Sequence, residues 1–271
     1  MSHFPISYSG NKRNEFKHLK SKLNEQMKTC NTVIEPFCGS SAVSFNLWLE
    51  HGEKKKYILN DNNPFLIHLY RIIKTGKLEE LINELHEIRK TINTKDEHHA
   101  FVEGHGRKYS DFNEKNFIKW IYANVFYKLR PGVWDSSGKS KTEWKFQKLK
   151  LKFIEFIKSE NVIITNEDWK AIFLKHVGDE TALFFFDPPY IEANNYGYMC
   201  KKTDFYDYFS SDVEMKAKFM AVLGKTPEVA HIFRKYSIFE YDKQYMVADF
   251  DGRHKERKPA RKTVHIAITN Y

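Results

Sequence analysis

Ala182-Leu183-Phe184-Phe185-Phe186-Asp187-Pro188-Pro189-Tyr190 is the stretch that decides the fold class. Its five consecutive apolar residues show no alternation, so they read as a strand covered on both faces. Such strands belong to parallel sheets flanked by helices. An acid and two prolines then end the strand abruptly, because proline brings no N–H to the ladder. Working outward, Thr32-Val33-Ile34-Glu35-Pro36-Phe37 reads as a second short buried strand. It runs into the small-residue turn Cys38-Gly39-Ser40-Ser41 and a helix from Ala42 to Glu50. Tyr57-Ile58-Leu59-Asn60-Asp61 reads as a strand ending on an acid and followed by a helix through about Lys74, and Val162-Ile163-Ile164-Thr165 as a further strand. Strands alternating with helices predict an α/β domain built on a parallel sheet. Near the end, Ser237 to Val247 and Thr263 to Asn270 read as a long hairpin joined by a basic loop.

The middle of the chain has a different texture. From about Lys77 to Glu160 it is lysine-rich and helical in pattern, with no buried-strand signal, and it holds the turn-like stretch Arg130 to Lys139. The expected organisation is an α/β domain made of 1–76 and 161–271, interrupted by a mainly helical subdomain, 77–160, that reads the substrate. With 44 Lys and Arg against 35 Asp and Glu, the 271 residues carry a formal charge of +9. That excess favours a polyanionic partner, nucleic acid first, over a surface that is basic only for solubility. Cys30, Cys38 and Cys200 are too few and too scattered for a disulfide framework or a zinc site, which points to a reducing compartment. No apolar run resembles a signal peptide, and none reaches the roughly 18 residues of a membrane helix. A soluble, cytoplasmic protein without a metal or a membrane partner is expected.

Ligands of open α/β sheets bind beyond the carboxyl ends of the strands. One such end carries Phe37, Cys38 and Gly39, where small residues and a helix N-terminus let a ligand approach the backbone. About two dozen residues later Asp61 closes the next strand, well placed to accept hydrogen bonds from both hydroxyls of a ribose. With a single glycine the turn suits a nucleoside better than a pyrophosphate. The plainer alternative is an ordinary strand-turn-helix connection with a surface aspartate.

The other end carries Asp187. Its two prolines fix the backbone and leave carbonyls facing outward, and Tyr190 adds a flat aromatic face. This set suits methylation of an aromatic amine. The lone pair of an exocyclic amine is delocalised into its ring, so the nitrogen is a poor nucleophile. A carboxylate oxygen of Asp187 and the carbonyl of Pro188 can each accept one of its N–H groups, which favours tetrahedral geometry and offsets the growing positive charge. Tyr190 can stack on a base taken out of the duplex. The alternative is a strand end capped by a proline-rich turn.

Several basic stretches fit a nucleic-acid partner. Lys128 and Arg130 lie beside turn residues, as an arginine reading guanine would, and Lys139 opens a ladder of lysines interleaved with Trp144 and Phe146. The loop Gly252 to Lys262, with Arg253, Lys255, Arg257 and Lys258, holds six Lys or Arg against one Glu and reads as a phosphate-contacting unit. A solvated lysine face and an exposed hairpin tip are the alternatives. Two other patterns carry less. Gly132 to Ser140 ends in Gly-Lys-Ser but lacks both the spacing of a phosphate loop and a preceding strand, and Asp96, His98 and His99 have no matching distant metal ligands.

Taken in order, these blocks resemble the DNA adenine methyltransferase (Dam) family, with its phage and bacterial members. Tyr8-Ser9-Gly10-Asn11-Lys12 looks like the family's N-terminal block, Glu35 to Ser41 like its first strand-turn motif and Leu59 to Asn63 like its ribose-binding block. Ala182 to Tyr190 matches its catalytic strand and loop, and Ile266 to Tyr271 is similar to its closing strand. The resemblance implies a Rossmann-like S-adenosyl-L-methionine-dependent methyltransferase sheet with flanking helices and an inserted target-recognition subdomain. It also implies that Tyr8, Lys12, Asp61 and Asp187 contact S-adenosyl-L-methionine, with Glu35, Phe37 and Gly39 in the same pocket and Asp168-Trp169 near the cofactor's adenine. The block order is that of the alpha group of amino-methyltransferases. The implied activity is site-specific N6-methylation of a flipped-out adenine in double-stranded DNA, by a monomer or a weak dimer. The alternatives are cytosine N4 or RNA adenine as substrate, or a non-catalytic DNA-binding subunit. Ser40 and Ser41 stand where many relatives have glycines, and Leu223 to Pro227 where many have an asparagine or aspartate. The insertion matches least, so the usual target sequence does not transfer.

Overall fold

A computed structural model describes residues 12–103, 109–124, 151–189, 202–211, 214–245 and 261–271. From the N-terminus the chain forms α1 (Phe16–Gln26), β1 (Thr32–Glu35), α2 (Ala42–His51) and β2 (Lys56–Asn60). Helices α3 (Pro64–Thr75), α4 (Leu78–Thr91), α5 (Lys95–Val102), α6 (Glu114–Tyr122) and α7 (Leu151–Lys158) follow. The chain then alternates through β3 (Val162–Thr165), α8 (Trp169–His176), β4 (Ala182–Phe186), α9 (Lys202–Ser210), β5 (Lys218–Gly224) and α10 (Pro227–Ile232). It closes with β6 (Ser237–Tyr245) and β7 (Arg261–Thr269). Helices α3 to α7 belong to one compact unit; the strands and the remaining helices belong to a second.

In the second unit the strands make one seven-stranded sheet in the order β3-β2-β1-β4-β5-β7-β6. The first five in that order run parallel, and β7 pairs antiparallel with both β5 and β6. This is the mixed, Rossmann-like α/β sheet that the sequence implied, with β6–β7 as the expected hairpin. Strand β5 was not read from the sequence. It fills the place between β4 and the hairpin, and all but its end residues are buried.

Strand β4 is buried along its whole length, as a run with no polar residue requires. Phe184 stacks on Phe186 with ring centroids 5.3 Å apart, and both meet Phe173 of α8. Phe205 and Phe209 of α9 and Phe219 of β5 close the cluster around Phe186. The aromatic layer therefore anchors the strand that carries Asp187. The outermost strands are β3 and β6, so the ends of β1, β2 and β4 lie inside the sheet.

The helical unit has its own core. Phe65 of α3 packs on Phe112 and Trp120, and Tyr70 on Phe153 of α7. Thr94 and Glu97 form a reciprocal capping box at the start of α5. His98 is buried against the Tyr122 ring. Among the described residues no group of three or more His, Cys, Asp or Glu could hold a metal ion, and no helix is long and apolar enough to cross a membrane.

Replacing Phe184 by Ala removes a fully buried ring that packs on Phe173 and Phe186. Urea unfolding of Phe184→Ala is expected to show a loss of about 3–5 kcal/mol relative to wild type. A change below about 1 kcal/mol would mean that the layer does not hold β4.

Candidate active site

Strand order changes direction between β1 and β4. From β1 the chain crosses to β2 on one side, and β4 later returns to pair on the other. The carboxyl ends of these two strands therefore flank a crevice, the usual ligand position in open α/β sheets. Cys38 and Gly39 follow β1 there, Asp61 follows β2, and Asp187 follows β4.

The turn after β1 is shaped by its own hydrogen bonds. Gly39 takes φ 47°, a left-handed conformation that glycine enters at no steric cost. Ser41 takes φ 45°, which is unusual for a residue with a Cβ, and its N–H donates to the Cys38 carbonyl at 2.6 Å. The Ser41 side chain does not cap α2. Glu35 does that instead, because its Oε1 accepts from the Ser44 N–H at 2.6 Å. Burial pushes the Glu35 carboxyl up to about 7, against the opposing pull of the Ser44 bond.

Asp61 ties the turn to the end of β2. One carboxylate oxygen accepts from the Gly39 N–H at 3.1 Å and the other from the Asn63 N–H at 3.0 Å. Burial raises its pKa to about 6, while those two bonds favour the ionised form. Burial, followed by the Asp61 and Glu35 carboxylates, also pushes the Cys38 thiol well up, so Cys38 is a packed residue and not a nucleophile.

Asn60, fully buried, is a positioning residue that sequence reasoning missed. Its amide donates to the carbonyls of Pro36 and Glu167, each at 3.0 Å. Its Oδ1 accepts from the Thr165 hydroxyl at 2.8 Å and the Glu167 N–H at 2.9 Å. One side chain thereby fastens the ends of β1, β2 and β3. Its partners lie 24 and 107 residues away, and no local pattern marks that role.

Asp187 leaves β4 with its side chain 20% exposed. Pro188 is buried and Pro189 half-buried. The Lys12 ammonium lies 2.6 Å from Asp187 Oδ2. Burial would lower the Lys12 pKa, but the Asp187 and Glu15 carboxylates outweigh it and hold the group firmly charged. Burial raises the Asp187 carboxyl above the usual range, with Lys12 opposing the rise. Glu35 senses both Asp187 and Lys12, so the carboxyl groups of β1 and β4 share one electrostatic environment.

Lys12, Glu35, Gly39, Asp61 and Asp187 are thus joined through the strand ends, and Phe37 lies 5.8 Å from the Trp169 ring. Trp169 is buried among Phe37, Phe173 and Phe205. Asp168 is exposed and caps α8 by accepting from the Lys170 N–H at 2.8 Å, so the first task of its carboxylate is local. Tyr8 and Tyr190 lie outside the described residues, as do Lys128, Arg130, Lys139, Arg253, Lys255, Arg257 and Lys258. Sequence reasoning also passed over Glu15, whose carboxylate lies 3.8 Å from Lys12.

A family model described as D12 class N6 adenine-specific DNA methyltransferase matches residues 8–247. The chain is 26% identical over 283 residues to the Type II methyltransferase M.CviBI of Paramecium bursaria Chlorella virus NC1A, and the match covers 98% of each. It is also 26% identical over 257 residues to the Type II methyltransferase M.MjaIII of Methanocaldococcus jannaschii, covering 89% of this chain and 86% of that one.

The raised pKa of Glu35 gives a stability prediction with a definite sign. Between the ordinary value of 4.5 and about 7, the unfolded chain ionises Glu35 while the folded chain resists. Stability that this carboxyl contributes at low pH is therefore lost as pH rises through about 7. Thermal melts of ligand-free protein should show Glu35→Gln gaining on wild type across that window. A pH-independent difference would place the ionisation of Glu35 elsewhere.

Proposed function

The chain belongs to the D12 class of N6 adenine-specific DNA methyltransferases and methylates adenine in DNA, and we propose that its methyl donor is S-adenosyl-L-methionine, bound across the ends of β1 and β2. Each Asp61 carboxylate oxygen spends one acceptor site on a backbone N–H and keeps capacity for a ribose hydroxyl. Phe37 and Trp169 offer apolar faces to the donor's adenine, and the Gly39 turn admits close approach of its chain. The donor supplies a methyl group on a positively charged sulfur.

Asp187 is the acceptor for the target amine. The observation that carries this role is the 2.6 Å pair with Lys12 at the mouth of the β1–β4 crevice. The pair holds one carboxylate oxygen in a fixed direction, which fixes the other. Pro188, rigid and buried, holds the carbonyl beside it. Together they take the two N–H groups of an adenine amine and stabilise charge as the nitrogen attacks. The base reaches them only if it is flipped from the duplex, and Tyr190 is the residue proposed to stack on it. The transfer is direct, with no covalent enzyme intermediate.

The subdomain 77–160, in which Lys128, Arg130 and Lys139 are the residues assigned to DNA, is proposed to recognise the target. Arg253, Lys255, Arg257 and Lys258 of the β6–β7 loop are assigned to backbone phosphates.

The test is tritiated methyl incorporation into unmethylated duplex DNA. Asp187→Ala is expected to lose roughly 100- to 1000-fold in rate while still binding DNA. Equal incorporation by variant and wild type would remove Asp187 from the chemistry. Sequencing modified bases in DNA from cells expressing the protein should show N6-methyladenine in a fixed context; N4-methylcytosine would overturn the adenine assignment.

A further inference from the structure

Behind Asp187 lies a buried charge cluster that capture of an amine does not by itself require. Its centre is Glu15, at the start of α1 and 3% exposed. Tyr241 donates its hydroxyl to Glu15 Oε2 at 2.8 Å. Lys243 Nζ lies 2.8 Å from Oε1, and His265 Nδ1 lies 3.1 Å from Oε2. On the other side Lys12 Nζ lies 3.8 Å from Oε1 and 2.6 Å from Asp187.

The grip comes from the terminal hairpin. Tyr241 and Lys243 are two residues apart on β6 and so share a face, and His265 of β7 sits directly opposite Tyr241. The Tyr241 ring also stacks on His18 of α1 at 5.2 Å. His265 lies beyond residues 8–247, the span that the family model matches.

A carboxylate at the first turn of a helix normally turns to water. Burying it costs several kcal/mol unless its charge is balanced and its lone pairs are used. Here the burial penalty would raise the Glu15 pKa, but the His265 bond and the charges of Lys12 and Lys243 outweigh it and hold the group well below the usual carboxylate range. Two lysines then face two carboxylates. Without the Glu15 charge, the pull of Lys12 and Lys243 on Asp187 would lose its nearest counterweight, leaving the Glu35 carboxyl as the other acid that Lys12 and Asp187 sense.

We propose that Glu15 is a positioning residue for methyl transfer: clamped by Tyr241, Lys243 and His265, it holds Lys12 and balances the field around Asp187 so that Asp187 remains a strong acceptor for the amine. The inference rests on the assignment of Asp187 as that acceptor. A removed negative neighbour makes Asp187 easier to ionise and less basic; a removed positive neighbour does the reverse. Glu15 and Lys243 both act on Asp187 in these opposite senses.

Single-turnover methyl transfer, measured against pH with a tritiated donor, separates the two effects. Glu15→Gln should lower the plateau rate by on the order of tenfold and move the acid limb to lower pH. Lys243→Met should move the same limb to higher pH. A cluster that merely packs would cost stability without shifting the limb in opposite directions. Limbs that stay at the wild-type position, or shift together, would overturn the proposal. If Glu15→Gln does not fold, Lys243→Met decides alone: an upward shift supports the proposal and an unmoved limb overturns it. Asp187→Ala is run in parallel. Full activity there would remove the acceptor assignment itself, whereas lost activity with unmoved limbs in the other variants overturns the role of Glu15 only.

Discussion

Parallel pairing of β1 with β4 is the constraint on which the site depends. Thr32 sits opposite Ala182 and Ile34 opposite Phe184, and β2 takes the other side of β1 with Ile34 opposite Ile58. Once that register is set, the three strands end at nearly the same level, and the residues after them meet without any long side chain having to reach. A one-residue slip of β4 would turn its side chains to the opposite faces and carry Asp187 away from Lys12. Every residue of β4 is buried, so such a slip has no solvent face to accept it. The aromatic layer thus stabilises the sheet and enforces the position of the Asp187 carboxylate at once.

That precision requires charges where water is scarce. Glu15, Glu35, Asp61 and Lys12 are all buried, and two kinds of device compensate them. Glu35 uses a helix amide, Asp61 uses two turn amides, and Glu15 and Lys12 use opposite charge. The amide-capped Glu35 and Asp61, and Asp187 beside the single ammonium of Lys12, are left with raised pKa values, while Glu15, gripped by His265 and two lysines, is driven down. A backbone amide or a single ammonium orients a carboxylate without fully offsetting its burial; several opposing partners do both. All three weakly compensated carboxyls stand at the strand ends proposed to hold the donor, where a bound cationic ligand would supply the missing charge.

Much of this was legible in the sequence, for reasons that differ from element to element. Phe184-Phe185-Phe186 and Val33-Ile34 are runs whose burial on both faces follows from composition alone. Gly39 and Asp61 stand where strand ends put ligands. Strand β5 was not read from the sequence although Phe219 to Leu223 are five apolar residues in a row, ended by the turn-forming Gly224-Lys225-Thr226-Pro227. In the fold, Gly224 is the last residue of β5, and Thr226 caps α10 by accepting from the Val229 N–H at 3.1 Å. Glu15 escaped for a physical reason. Within Asn14-Glu15-Phe16-Lys17-His18 it looks like any solvated helix start, and its hydroxyl partner stands 226 residues later. Periodicity reports which face of an element is apolar. It carries no information on a polar residue buried by a distant strand.

The same reasoning explains why the hairpin matters more than its place at one side of the sheet suggests. A β6–β7 pair needed only to extend the sheet beyond β5 would carry apolar side chains on its buried faces, as Ile266 and Ile268 of β7 do on one. Tyr241, Lys243 and His265 depart from that pattern at neighbouring positions on the two strands. A lysine, a histidine and a tyrosine gathered around one carboxylate add little stability over well-packed apolar residues of the same volume, and often less. Their presence is better understood through what they control. Under the role proposed for Glu15, they set the charge beside Asp187, where a shift of one pKa unit is a factor of ten in the fraction of acceptor available below its pKa.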